Sequence, residues 1–355
     1  MHLRFPSLAS LISRKRLLLT VPSILLATLL GSPHCNAEEN RHITLRTVAL
    51  ERPIPFSSTL VSSVHGTEPG LLSLAPRQRT ATFIFLDGNV VPFPLADEND
   101  PFSIARDGDG YLQLTGSPNG AQARRLDRDF RETDAIDFSK ISSSAEASLH
   151  GAYPLSFYDF VISEETIFAY GAFKEPGREG FVVGFFVYPL DPKREKQTTR
   201  GRALPPTNPQ PEEDYFKLGL SYITSIQSDI YFLSMSHTPE LHHYKLHTAL
   251  PPKPLGYFPT REKALPGVAG SADSLTDALS QAYDFDRFPF GLVAYDGYLF
   301  CLTRSRNLDG RADWHLDKIA VSSEAAEIVS SYKVDLQAEL LRMIPSPQGL
   351  FLLGT

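Results

Sequence analysis

Apolar residues recur in alternation along short stretches of this chain, and six times two such stretches are separated by a few polar or turn-forming residues. The six pairs are Leu60 to Leu74, Phe102 to Leu114, Tyr158 to Tyr170, Tyr222 to Leu233, Gly291 to Leu302 and Leu341 to Leu353. Period-two alternation marks a strand with one buried face, and a tight polar break between two such runs marks a hairpin. Asp107-Gly108-Asp109-Gly110 and Asp296-Gly297 supply the turn chemistry that hairpins favour. The first run superficially resembles a calcium loop, but it lacks the remaining ligands and the distal glutamate. Further short apolar runs follow most pairs: Thr80 to Leu86 and Val90 to Leu95, Gln122 to Leu126 and Ala135 to Phe138, Phe181 to Tyr188, Leu241 to Leu246 and Leu255 to Phe258, and Trp314 to Ala320 and Ile328 to Val334.

Aligned on their second strands, the pairs recur at intervals of 40 to 68 residues. A unit of four antiparallel strands needs roughly 40 to 50 residues, and the excess falls in proline-rich or polar loops. The pattern predicts an all-β chain, a β-propeller of about six four-stranded antiparallel blades. The last hairpin ends near Leu353 with no later sequence to complete its blade, whereas His42 to Leu50 has strand character and no hairpin partner nearby. Pairing between N- and C-terminal segments would close the ring and hide both edges. An aromatic beside proline recurs ahead of inner strands in Asp100-Pro101-Phe102, Tyr153-Pro154-Leu155 and Phe288-Pro289-Phe290, where no ladder donor is needed. One short inserted helix is expected over Ser271 to Tyr283, and Glu195 to Asp214 reads as an extended proline-rich loop. On these residues the chain resembles the broad β-propeller superfamily in architecture. It lacks the Gly-His and Trp-Asp signature of WD repeats and the double glycines of kelch repeats, so no family's functional residues carry over.

The N-terminal 37 residues read as a secretory signal peptide. Arg14, Lys15 and Arg16 precede an apolar run from Leu17 to Gly31, and Cys35-Asn36-Ala37 offers small residues for cleavage after Ala37. The run is shorter than the roughly 20 residues of a spanning helix, so no stable membrane span is expected once the leader is removed, and residues 38–355 form one domain. The expected location is periplasmic or secreted.

Cleavage would remove four basic and no acidic residues, taking the formal net charge from -7 to about -11. Such a chain repels a phosphate polymer, and nucleic acid is not an expected partner. One cysteine, Cys301, remains beyond the leader, within the apolar run Tyr298 to Leu302, and reads as a small buried hydrophobe.

Candidate chemistry lies in the loops that enter the inner strands, which are rich in carboxylates. Asp100, Asp214, Asp284, Asp286 and Arg287 are the candidate ligand-binding residues, with Arg287 the natural counter-charge between Asp286 and Phe288. Converging carboxylates suit Ca²⁺, though no resident cofactor is expected, or a general acid and base acting on a glycosidic bond. His237, His242, His243 and His247 crowd one blade without the convergence a zinc site needs. No nucleophile-elbow, phosphate-loop or zinc-protease motif occurs. The sequence therefore predicts a binding or scaffolding module for a protein, carbohydrate or other small molecule. A hydrolase or lyase acting on a carbohydrate or small ester is the alternative.

Overall fold

The computed structural model describes residues 25–29, 45–49, 59–65, 68–75, 80–94, 101–115, 122–137, 153–174, 182–189, 202–204, 222–234, 240–245, 253–257, 288–306, 312–334 and 341–354. Every regular element among them is a strand. The expected helix at Ser271 to Tyr283 lies outside the described residues.

Five four-stranded antiparallel sheets are each cut from one contiguous stretch of chain. The first comprises β3 (Thr59–His65), β4 (Glu68–Ala75), β5 (Thr80–Phe85) and β6 (Val90–Pro94). The second comprises β7 (Pro101–Asp107), β8 (Gly110–Thr115), β9 (Gln122–Leu126) and β10 (Glu132–Asp137). The third runs through β11 (Tyr153–Ser163), β12 (Thr166–Lys174), β13 (Val182–Pro189) and β14 (Arg202–Leu204). The fourth holds β15 (Tyr222–Ile226), β16 (Asp229–Ser234), β17 (Glu240–Lys245) and β18 (Lys253–Pro254). The fifth holds β19 (Phe288–Tyr295), β20 (Tyr298–Arg306), β21 (Ala312–Val321) and β22 (Ala326–Val334).

Thus five blades, rather than six, are complete within contiguous sequence. The remaining sheet joins the two chain ends in the order β2 (Leu45–Ala49), β1 (Leu25–Leu29), β24 (Gly349–Gly354), β23 (Leu341–Ser346). In it Leu26 pairs with Leu353 and Leu29 with Leu350, while β2 pairs with β1. The segment expected to close the ring does share the C-terminal sheet, but Leu25–Leu29, from the stretch read as a leader, lies between it and β24.

The innermost strands touch in the cycle β3, β7, β11, β15, β19, β23 and back to β3, which makes the molecule a β-propeller. Apolar clusters fill the seams between sheets, because each blade has two faces and both must be buried. Phe168, Tyr170, Ile230, Phe232 and Tyr244 join the third sheet to the fourth, and Val293, Leu302, Trp314, Met343 and Leu352 join the fifth to the closing one. The sole tryptophan, Trp314, is fully buried, with Phe290 edge-on at 5.1 Å and the Arg304 guanidinium 5.7 Å from its ring centre.

Every inner hairpin obeys one rule of register. His65 faces Glu68, Asp107 faces Gly110, Ser163 faces Thr166, Ile226 faces Asp229, Tyr295 faces Tyr298 and Ser346 faces Gly349. A two-residue connection imposes this, since its twist matches that of the strands it joins. In the fifth sheet Asp296 and Gly297 have φ of 50° and 73°, the left-handed backbone that such a turn demands. In the second sheet the connecting pair is Gly108-Asp109, with Gly108 at φ 58°, so Asp107 is already a strand residue.

Candidate functional site

The shared register places residues of different blades on one level. Counting back four from the last residue of each inner strand gives Val61, Ser103, Asp159, Tyr222, Gly291 and Arg342. Beta-bulges fall directly before this level at Ser103, Asp159 and Gly291. A bulge adds one unpaired residue, bends its strand and re-aims the side chains beside it. Three ionisable groups, Asp159, Tyr222 and Arg342, therefore stand at equivalent places on innermost strands.

Asp159 is half-buried as a residue, with desolvation concentrated on its carboxyl. Burial pushes its pKa up from 3.8 to about 7, opposed by hydrogen bonds from the backbone N–H groups of Ile223 and Phe160. The Phe160 N–H donates to Oδ1 at 2.8 Å and the Ile223 N–H donates to Oδ2 at 3.1 Å. The second bond crosses to the next blade, where it satisfies an inner-edge donor that no strand can reach. One blade further on, the Ala294 N–H donates to Thr224 Oγ1 at 2.9 Å and serves the same end.

Arg342 is also half-buried. Burial lowers its pKa below the ordinary arginine range, and the charge of the Tyr222 hydroxyl group works against that shift. These two residues come from sheets separated in the ring by the fifth, whose residue on this level is Gly291. Glycine there puts no side chain between them; an added Cβ would stand 3.7 Å from the Met343 side chain, an ordinary contact.

A cavity of about 890 Å³ lies elsewhere, on the second sheet, where the β7–β8 and β9–β10 turns meet. That end of the molecule is opposite the one where inner strands are entered. Arg106, Asp107, Asp109, Arg125, Asp127 and Arg128 are among its lining residues. Much of this charge is used within the turns. Arg125 Nε donates to Asp107 Oδ2 at 3.1 Å, and Asp127 Oδ1 accepts from the N–H groups of Asp129 and Arg131 at 2.8 Å each.

His242 and His243 on β17 are buried although β17 lies in the outer half of its sheet. The segment 253–257 covers β17, with the Leu241 N–H donating to Tyr257 O and the Leu255 N–H to Leu241 O. Burial depresses the His242 pKa to about 4, and Glu240 lies 3.6 Å away. His243 lies 2.7 Å from Asp229 and stacks on Tyr231 at 5.3 Å. His237 and His247 lie outside the described residues. Cys301 is buried, as expected, near a polar knot in which Tyr257 Oη donates to Asp317 Oδ2 at 2.9 Å and Ser331 Oγ donates to Asp317 Oδ1 at 2.6 Å. Burial, followed by the nearby Cys301 and Asp317, pushes the Tyr257 hydroxyl well above its usual pKa.

All five candidate residues, Asp100, Asp214, Asp284, Asp286 and Arg287, lie outside the described residues. Among the described residues, no group of three or more His, Cys, Asp or Glu is placed to hold a metal ion. Sequence reasoning missed Asp159, Tyr222 and Arg342 because it searched the loops. The signal was present in the hairpins: the same count back from each turn reaches all three.

No family model matches the chain, and neither does any curated protein. Similar solved structures include a gluconolactonase from Xanthomonas campestris, at TM-score 0.43 and 10% identity, covering 84% of this chain and 86% of that one. Another is regucalcin from Agrobacterium tumefaciens, a calcium-binding protein, at TM-score 0.39 and 10% identity, covering 84% and 89%. A third is the β-propeller domain of the Trilobed protease from Pyrococcus furiosus, which has an open velcro topology, at TM-score 0.40 and 8% identity, covering 89% and 78%. The resemblance is one of β-propeller architecture, the fold that the strand order and the ring of inner strands establish for this chain.

Proposed function

We propose that this chain is an exported propeller acting as a binding module for a small ligand with an anionic group. The ligand would be held on the inner-strand level where Asp159, Tyr222 and Arg342 occupy equivalent positions. The observation that supports the reading is that shared position, since it brings a guanidinium, a phenol and a carboxyl from three blades to one level of the ring. A guanidinium at this level can take a carboxylate or phosphate through charge-assisted, bidentate hydrogen bonds. Titration calorimetry of the purified chain against small sugar acids, other carboxylates and neutral sugars tests the reading. Binding by anionic compounds alone, weakened about tenfold or more by Arg342→Gln, supports it. Equal binding of neutral sugars, or full affinity in the Arg342 variant, overturns it.

A hydrolase reading is favoured by one observation, the Asp159 carboxyl at about 7, which suits a group that exchanges protons near neutral pH. It requires turnover of an ester or glycoside with a pH profile that inflects near 7 and is lost in Asp159→Asn. Export rests on the leader-like N-terminus and is tested by N-terminal sequencing of the mature protein. A start at Glu38 supports cleavage, and a retained leader refutes it.

A further inference from the structure

In an antiparallel pair, residues that exchange hydrogen bonds with the partner strand alternate with residues that do not. The pair that closes each inner two-residue turn is of the first kind. The residue three places back on the inner strand is therefore of the second, and its N–H points away from the hairpin, into the ring. Those residues are Ser62, Ile104, Phe160, Ile223, Leu292 and Met343. The residue one place back follows the same rule, and in the closing sheet it is Pro345, which has no N–H to leave unpaired.

Two of these six N–H groups show what such a pair can hold. Those of Phe160 and Ile223, on neighbouring blades, grip the two oxygens of one carboxyl, Oδ1 and Oδ2 of Asp159, at 2.8 and 3.1 Å. Asp159 stands just before Phe160 and directly after a bulge. Gly291 holds the corresponding place in the fifth sheet, just before Leu292 and directly after a bulge. The donors there are the N–H groups of Leu292 and Met343, again on neighbouring blades, but glycine supplies no acid to meet them. A side chain would fit: Gly291 has no positive φ, and an added Cβ would stand 3.7 Å from the Met343 side chain, an ordinary contact. The charges nearby suit an anion. Arg342 adjoins Met343, and it interacts electrostatically with Tyr222 of the fourth sheet, on the other side of the fifth. Around Asp159 two N–H groups do not offset desolvation, which leaves its carboxyl at about 7. A carboxylate beside Gly291 gains a guanidinium as well.

We infer that Gly291 marks the binding place of a ligand's carboxylate, gripped by the N–H groups of Leu292 and Met343 as the Asp159 carboxyl is gripped by those of Phe160 and Ile223. The inference rests on the anion-binding reading above and narrows its ligand class to carboxylates, whose two oxygens in one plane match one oxygen to each N–H, as in the occupied copy.

Amide resonances of the isotope-labelled full chain, followed as acetate is added at constant ionic strength with acetamide as the neutral control, test the inference. Millimolar acetate should move the Leu292 and Met343 amides, and acetamide should leave them in place. Gly291→Asp, which ties a carboxyl to the site, should abolish the response, with circular dichroism confirming the fold; the parent titration decides the matter even if that variant fails to fold. Arg342→Gln should weaken the acetate titration about tenfold. Acetate that leaves both amides unmoved, or that moves the Phe160 and Ile223 amides equally, overturns the inference. A folded Gly291→Asp chain that still responds, or a larger response to inorganic phosphate than to acetate, overturns it too. If anionic compounds bind through Arg342 while both amides stay still, this inference alone falls. Amides that respond equally in the parent and in Arg342→Gln refute the anion-binding reading and leave the N–H pair standing.

Discussion

Replacing Asp159 by asparagine isolates a carboxyl that spans the seam between the third and fourth sheets. In the folded protein burial moves its pKa from 3.8 to about 7, which corresponds to about 4 kcal/mol of disfavoured ionisation, an upper bound. The folded state thus holds the proton more tightly than the unfolded chain. Its contribution to stability is fully present below pH 4 and is lost as pH rises through 7. Asparagine removes the titration and keeps one carbonyl oxygen, enough for one of the two N–H donors. Losing the other hydrogen bond costs about 1 kcal/mol. Asp159→Asn should therefore be slightly less stable than the parent below pH 4, and more stable by up to about 3 kcal/mol above pH 8. Urea unfolding at intervals across that range, on parent and variant together, measures the difference curve. If that curve is flat through neutral pH, or if the variant is the weaker protein at pH 8, the carboxyl is not desolvated as described.

Trp314→Ala should cost about 3 to 5 kcal/mol in chemical denaturation, since it empties the seam that joins the fifth sheet to the closing one. Tyr257→Phe keeps the ring and removes the donor to the buried Asp317, for a loss of about 1 to 3 kcal/mol in the same assay. In the full chain, deletion of residues 25–49 removes both N-terminal strands of the closing sheet, β1 and β2. It should lower the melting temperature by about 5 °C or more, because about 2 to 4 °C accompanies each kcal/mol in a domain of this size. An unchanged melting curve would refute closure by that segment.

The blades were legible because two physical signals coincide in them. The inner hairpins are both strongly alternating and joined by minimal turns, so Tyr222 to Leu233 could be bounded almost to the residue, whereas Gly291 to Leu302 falls three residues short at its start and four at its end. Outer strands were harder to read. β14, with Arg202–Leu204, has no apolar alternation to show, and it exists only because β13 offers it an edge. The strand at Leu25–Leu29 could not be separated from a leader, since an apolar run serves either purpose. Polar chemistry was the least legible. Asp159 sits in Tyr158-Asp159-Phe160, where alternation alone marks it as a solvent-facing residue. Only the neighbouring blade, which supplies the Ile223 N–H, turns it into a desolvated carboxyl.

The closing sheet also sets the order in which this molecule can assemble. Leu26 pairs with Leu353, so the contact that seals the ring links residues at nearly opposite ends of the sequence. The five contiguous blades can each form their hairpins as soon as they are made, but the seal must wait for the last strand. Contacts of such long sequence separation are the slow ones in folding, because their loop entropy is lost before any stabilisation returns. A growing chain therefore carries an open arc of blades until β24 arrives, and loss of β24 would leave the molecule in that same unsealed state.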